Sequence, residues 1–133
     1  MKGVKVLDSL ALLAYFEDEA GSVEVTKILQ EAAEKKRNLL ISIVNWGEVL
    51  YIIEMRYGRE KRDTIERLMS QMHLEVVDAD KDLTRAAAHI KATEKLPYAD
   101  SFAAALTLIR KAELVTGDKD FRAVENKIRV VWL

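Results

Sequence analysis

Short apolar runs alternate along the chain with longer segments in which apolar residues recur every three or four positions. The short runs are typical of buried strands, and the longer spacing is typical of helices with one buried face. For example, Val25, Ile28, Leu29 and Ala32 fall on one stripe of a predicted helix. The predicted strands span 4–7, 39–43, 74–77, 113–116 and 128–132. The predicted helices span 10–19, 23–36, 44–57, 60–72, 81–95 and 97–111, and a further short helix lies near 121–125.

This order of elements predicts an α/β fold. Parallel neighbouring strands need a crossover connection, and helices that supply it cover both faces of the sheet. We therefore expect a three-layer α/β/α sandwich with a mainly parallel central sheet. The chain has 133 residues, half of them hydrophobic, which suits a single domain over residues 1–133. Gly58 is expected to end the helix before it, and Pro97 is expected at a first helical position.

The composition excludes several kinds of site. The chain has no cysteine, so thiolate zinc sites and cysteine nucleophiles are excluded, and any metal must use oxygen ligands. The net charge of −1 argues against nucleic-acid binding through overall charge. Basic clusters at 35–37 and 56–62 are more typical of solvated helix faces than of binding patches. Because no apolar run is long enough to span a bilayer and no signal-peptide pattern occurs, we expect a soluble cytoplasmic protein that does not bind membranes.

Four carboxylates lie where open parallel sheets usually bind ligands, outside the carboxyl ends of the strands. Asp8 follows the first predicted strand and Asp118 follows the fourth. Glu48 lies about one turn into the helix after the second strand, and Asp100 lies in the first turn of the last long helix. A divalent cation would offset their mutual repulsion, and oxygen ligands favour Mg²⁺ or Mn²⁺. Such ions orient or deprotonate water for attack on phosphorus, so the pattern favours phosphodiester hydrolysis.

Each position also has an explanation without function. Asp8 and Asp118 are suited to capping helices, and Asp100 to stabilising a first turn. Glu48 taken alone is typical of a solvated helix residue. Asn45 and Trp46 are candidates for contact with substrate, although a core or interface role is the more common one for such a tryptophan.

Four stretches of the sequence carry a resemblance to a known family. They read VLDSLALLA at 6–14, ISIVNWGEV at 41–49, LPYADSFAAA at 96–105 and LVTGDKDF at 114–121. In their order and spacing the chain resembles the PIN-domain family nearly from end to end, and particularly the VapC-type toxins of prokaryotic toxin–antitoxin pairs. The catalytic and metal-binding residues that the resemblance implies are Asp8, Glu48, Asp100 and Asp118. The supporting residues that it implies are Ser9, Thr116 and Asp120.

The resemblance also implies a function. We expect an endoribonuclease dependent on Mg²⁺ or Mn²⁺, the toxin of a toxin–antitoxin system, which cleaves RNA and is neutralised by a small cognate antitoxin. Asp8, Asp100 and Asp118 would hold one ion, while Glu48 would orient the attacking water or share a second ion. Members of this family are commonly dimers, and apolar residues near Tyr51 suit a helical interface.

Two other functions remain open on the sequence. One is a non-catalytic PIN-fold scaffold that binds RNA or protein. The other is a receiver-like phosphoacceptor domain, in which Asp78 after the third strand would accept the phosphoryl group. The receiver pattern fits poorly, because it needs an acidic pair after the first strand, where this chain has Asp8 and Ser9. A haloacid-dehalogenase-type phosphatase is disfavoured because Leu10 stands where it needs a second aspartate.

Overall fold

The computed structural model describes residues 3–133. Its strands are β1 (Lys5–Leu7), β2 (Leu39–Ser42), β3 (Leu74–Val77), β4 (Glu113–Thr116) and β5 (Arg129–Trp132). Its α-helices are α1 (Ser9–Phe16), α2 (Ser22–Lys35), α3 (Ile43–Tyr57), α4 (Arg59–Ser70), α5 (Lys81–Glu94) and α6 (Tyr98–Arg110). A 3-10 helix (Lys119–Val124) connects β4 to β5. The predicted order of strands and helices is confirmed.

The five strands form one parallel sheet in the order β3-β2-β1-β4-β5. The first strand is therefore central, and Val6 aligns with Leu40 on one side and with Leu114 on the other. Parallel strands expose their carboxyl ends at one edge of the sheet. The ends of β1, β2 and β4 consequently lie side by side at the middle of that edge.

Two apolar clusters cover the two faces of the sheet. Val6 and Leu114 face the cluster formed with α5 and α6, whereas Leu7 and Val115 face the cluster formed with α1 to α4. Neighbouring strand residues point to opposite faces, so strands buried on both sides need continuous apolar runs. The three-layer α/β/α sandwich predicted from those runs is confirmed.

Helix α6 packs closely against the sheet because its buried face is made of small side chains. Ala103, Ala104 and Ala105 are all inaccessible to solvent, and the residues on either side of them are buried as well. A helix with small residues at its contact can approach its neighbours more closely than one with large residues. This packing brings the first turn of α6 to the edge where the central strands end.

Most predicted element boundaries are wrong by one to three residues, and two of them have a clear cause. The first helix ends at Phe16 rather than at position 19, because Glu17 caps it and Asp18 adopts a left-handed conformation with φ 53°. Pro97 is the N-cap of α6 rather than its first residue, and its carbonyl accepts a hydrogen bond from the amide of Ser101. Gly58 ends α3 as expected, with φ 95°. Within residues 3–133, no helix has the length and apolar character that a membrane span requires.

Candidate functional site

Asp8 is a buried carboxylate at the end of the central strand. Its side chain is 2% exposed. One oxygen accepts a hydrogen bond of 2.8 Å from the amide of Ala11 and so caps α1, and the other accepts from the hydroxyl of Thr116. Burial raises the pKa of Asp8 to about 7; the two hydrogen bonds oppose this shift, and the charges of Asp118 and Glu48 add to it. Asp8 is therefore the predicted helix cap, and it is also a carboxylate whose ionised form is destabilised by burial.

Thr116 connects Asp8 to the second strand-end carboxylate. The threonine is fully buried, donates to Asp8, and accepts a hydrogen bond of 2.9 Å from the backbone amide of Asp118. Asp118 in turn caps the 3-10 helix, because its Oδ1 accepts from the amide of Asp120 at 2.9 Å. One hydroxyl thus fixes the ends of β1 and β4 relative to each other. Ser9, predicted as a second support, is the buried first residue of α1.

Asp100 and two other aspartates form the closest acidic group in the described part of the chain. Side-chain oxygens of Asp100, Asp118 and Asp120 all lie within 4.8 Å of one another. The pKa of Asp100 is raised to about 8. Burial is the largest cause, and the negative charges of Asp118, Asp8 and Glu48 and a hydrogen bond with Asp118 raise it further. The four carboxylates at 8, 48, 100 and 118 therefore share one electrostatic environment, which is the convergence expected from their positions at strand ends and near helix starts.

Asp120 lies closer to the centre of the acidic site than the sequence indicated. We expected it only as a supporting residue, whereas the structure puts it in the closest group, with Asp8 and Glu48 outside that group. The 3-10 helix is the cause, because its tight first turn brings the backbone amide of Asp120 to the side-chain carboxylate of Asp118. The signal in the sequence was the pair of aspartates separated by a single lysine after β4.

Glu48 is held at the site by a neighbour that sequence reasoning assigned differently. Asn45, a candidate for substrate contact, is 0% exposed and donates from Nδ2 to Glu48 Oε1 at 3.1 Å. Trp46 packs against the cluster formed with α1 to α4, so the core role considered for it is the one observed. The three-residue spacing of Asn45 and Glu48 on one helix face was the available signal.

The acidic group fits a hard divalent cation. All the donors are carboxylate oxygens, and the pKa of Asp100 within the group, like that of Asp8 beside it, lies well above the usual value for aspartate. A nearby cation would favour their ionised forms and remove the repulsion. Mg²⁺ and Mn²⁺ prefer such oxygen ligands and use a few carboxylates together with water. Asp100, Asp118 and Asp120 are the residues best placed to hold the ion.

The strand order argues against a receiver-like function. Receiver domains share the flavodoxin-like order 2-1-3-4-5, in which the third strand is central. Here β3 is an edge strand, separated from β1 by β2. Asp78, which follows β3, is thereby separated from the carboxylates at the ends of β1 and β4.

Comparisons with known proteins agree with this architecture. A family model described as PIN domain matches residues 5–127. The VapBC2 complex of Rickettsia felis, bound to a promoter DNA fragment, contains a similar chain with TM-score 0.78 and 18% identity over 98% of both chains. VapC20 of Mycobacterium tuberculosis, a toxin that cleaves the sarcin-ricin loop, has TM-score 0.73 and 16% identity over 97% of this chain and 99% of that one. A DNA-bound VapBC of Salmonella typhimurium has TM-score 0.70 and 20% identity over 96% of each chain. No curated protein sequence gave a match. At these identities the structural likeness establishes the fold.

Proposed function

The chain belongs to the PIN-domain family, and we propose that it is a metal-dependent endoribonuclease, the toxin of a VapBC-type toxin–antitoxin pair. The observation that carries this proposal is the group of Asp100, Asp118 and Asp120 oxygens within 4.8 Å of one another, with Asp8 and Glu48 acting on it electrostatically. The structural similarity to VapC20 and to VapBC complexes supports the toxin role. We also propose that residues 1–133 form one PIN-like domain that acts in the cytoplasm.

The proposed reaction is hydrolysis of an RNA phosphodiester bond by attack of water. When bound, Mg²⁺ or Mn²⁺ supplies positive charge that stabilises the transition state and makes water more acidic. Asp100, Asp118 and Asp120 would hold the ion at the strand ends. Thr116 keeps Asp8 at a fixed position beside them. Glu48 adds negative charge that would help to hold the ion, and it orients the attacking water. It accepts a proton from that water as the bond from water oxygen to phosphorus forms. The bond from phosphorus to the ribose oxygen breaks, and that oxygen takes up a proton from solvent.

Two exposed aromatic residues at the same edge support a nucleic-acid substrate. Trp132 is 41% exposed and is the register partner of Thr116, which donates to Asp8. Tyr98 is 49% exposed and lies two residues before Asp100 in the first turn of α6. Single-stranded bases stack on such side chains without sequence preference. An unpaired stretch of RNA that reached the acidic group would thus have two exposed aromatic side chains on which to stack.

The test is cleavage of purified total RNA by the purified chain with Mg²⁺ or Mn²⁺, with EDTA in a parallel reaction. Asp100→Asn should abolish cleavage, because it removes a carboxylate from the closest acidic group. Asp82→Asn is the matched control, since Asp82 is an exposed carboxylate that pairs with Arg85 on α5. A contaminating nuclease would survive both substitutions. Binding of RNA without cleavage by the folded, antitoxin-free protein would favour a scaffold instead.

We further propose a cognate small antitoxin and a homodimer as the assembled forms. Tyr51 and Met55, one turn apart on α3, are 52% and 77% exposed, whereas Ile52 packs against the core. Exposed apolar residues at helical spacing suit contact with a second copy. Met55→Glu should give a monomer in sedimentation experiments if this face forms the dimer.

A gene for a small DNA-binding protein beside this one would favour the toxin role over general RNA processing.

A further inference from the structure

Asn45 forms a buried hydrogen-bonded link between two helices at the acidic site. Its Nδ2 donates to Glu48 Oε1 and to the backbone carbonyl of Ala99, both at 3.1 Å. Ala99 immediately precedes Asp100 in the first turn of α6. A single side chain on α3 therefore contacts one carboxylate of the site directly and the backbone that carries another.

The orientation of the Asn45 amide is determined by these partners. A carboxylate oxygen and a carbonyl oxygen both accept hydrogen bonds, so the NH₂ group must face them. The amide oxygen then remains buried, with no hydrogen-bond partner among residues 3–133. A buried acceptor without a donor destabilises the folded state. An apolar side chain at this position would avoid that cost, so packing alone does not account for an asparagine.

We propose that Asn45 is a positioning residue, which holds the Glu48 carboxylate at a fixed place relative to Asp100; this role rests on the function proposed above. One amide hydrogen binds Glu48 and the other binds the backbone carbonyl beside Asp100, so the amide connects the Glu48 carboxylate to the first turn of α6. Neutral donors that orient a carboxylate near a metal strongly affect metal affinity. The buried amide oxygen is also a place where an ordered water can bind.

A purely structural role would have different consequences. If Asn45 only fastened α3 to α6, its replacement would lower stability and leave the metal affinity of the folded protein unchanged. If it acts through Glu48, its replacement should weaken metal binding, and this effect should vanish once Glu48 is removed. The two roles are thus separable by a double-mutant cycle.

The metal arm of the experiment measures Mn²⁺ affinity by electron paramagnetic resonance of the free ion, on protein shown to be folded. Asn45→Leu should bind Mn²⁺ about tenfold or more weakly than the native chain. In a Glu48→Ala background the same substitution should cause no further loss. Thr107→Val is the matched control, because Thr107 is buried and its hydroxyl donates only to Ala103 within α6. It should keep the native Mn²⁺ affinity, whatever its effect on the unfolding midpoint.

A second measurement tests the link in metal-free protein and needs no substitution at Asn45. In nuclear magnetic resonance spectra, the Asn45 side-chain amide protons should exchange slowly with water. In Glu48→Ala, the proton that faces Glu48 should shift and exchange faster. Unprotected amide protons, or protons insensitive to Glu48→Ala, would overturn the proposal. An equal loss of Mn²⁺ affinity from Asn45→Leu with and without Glu48 would overturn it too. Absence of Mn²⁺ binding by the native chain would instead refute the metal-dependent function, and the amide protons alone would then decide whether the link exists.

Discussion

Replacing Asp8 by asparagine should stabilise the metal-free protein at alkaline pH while abolishing its proposed activity. The asparagine oxygen can still accept from the amide of Ala11, and asparagine is as good an N-cap as aspartate. Its NH₂ group can donate to the remaining lone pair of the Thr116 hydroxyl, which already accepts from the Asp118 amide, so the direction of the bond between residues 8 and 116 is reversed. The substitution therefore preserves shape and the cap of α1, and it removes a carboxylate that burial makes costly to ionise.

The magnitude follows from the pKa of Asp8, about 7 in the folded chain against 3.8 as its ordinary value. Because the folded pKa is raised, protonation of Asp8 stabilises the fold at low pH, and this contribution is lost as the pH rises through 7. Between pH 5 and 7, Asp8 is ionised in the unfolded chain and mostly protonated in the folded chain. The free energy of unfolding of the native chain therefore falls by about 1.4 kcal/mol per pH unit, which amounts to about 3 kcal/mol over this range. Asp8→Asn has no such loss, so its advantage over the native chain should grow by about 3 kcal/mol between pH 5 and 8.

Urea unfolding in EDTA at pH 5 and pH 8 measures this difference. Asp80→Asn is the matched control, because Asp80 caps α5 by the same type of bond, accepted from Leu83 at 2.8 Å, outside the acidic group. Its stability relative to the native chain should be nearly the same at both pH values. Added Mg²⁺ should raise the stability of the native chain at pH 8 much more than that of Asp8→Asn. If Asp8→Asn were less stable than the native chain at pH 8, or its advantage did not grow with pH, the reasoning from burial would be wrong.

Three further predictions concern the same edge of the sheet. Thr116→Val removes the donor to Asp8 and the acceptor for the Asp118 amide, so it should lower the free energy of unfolding by about 1–3 kcal/mol in urea at pH 6; an unchanged value would contradict the bridging role. Asp120→Asn should weaken Mn²⁺ binding roughly tenfold or more, whereas Glu125→Gln, an exposed acid just after the same 3-10 helix, should not; equal affinities in both variants would exclude Asp120 from the metal group. Trp132→Ala in the Asp100→Asn background should reduce the affinity for single-stranded RNA by about 1–3 kcal/mol in a fluorescence anisotropy titration, and undiminished affinity would remove Trp132 from the substrate path.

The fold could be predicted from the sequence because its elements have strong local signals. Consecutive apolar residues in the runs 39–41 and 114–115 place apolar side chains on both faces of the sheet, so both faces must be covered. The small-residue face of α6 likewise predicted close packing against the strands. The errors lay at element ends, as at Pro97, where a shift of one residue changes little in the hydrophobic pattern.

The roles of individual site residues were less accessible from the sequence. The convergence of Asp8, Glu48, Asp100 and Asp118 was expected, since strand ends and first helical turns meet at one edge. The closer association of Asp120 with Asp100 and Asp118 depends on the turn of the 3-10 helix. Such turns carry weak hydrophobic signals, so their geometry is not readable from periodicity.

The sequence by itself determined which residues form strands and helices, the parallel α/β class and the edge at which the acidic residues gather. These properties follow from local spacing and from the alternation of side chains along strands. The tertiary structure alone decided that Asp8 is buried with a pKa of about 7 and that Asn45 links Glu48 to the backbone beside Asp100. The contact between Asn45 and Ala99 joins residues 54 positions apart, so it depends on how α3 and α6 pack together. The hydrophobic periodicity of each helix does not specify that packing.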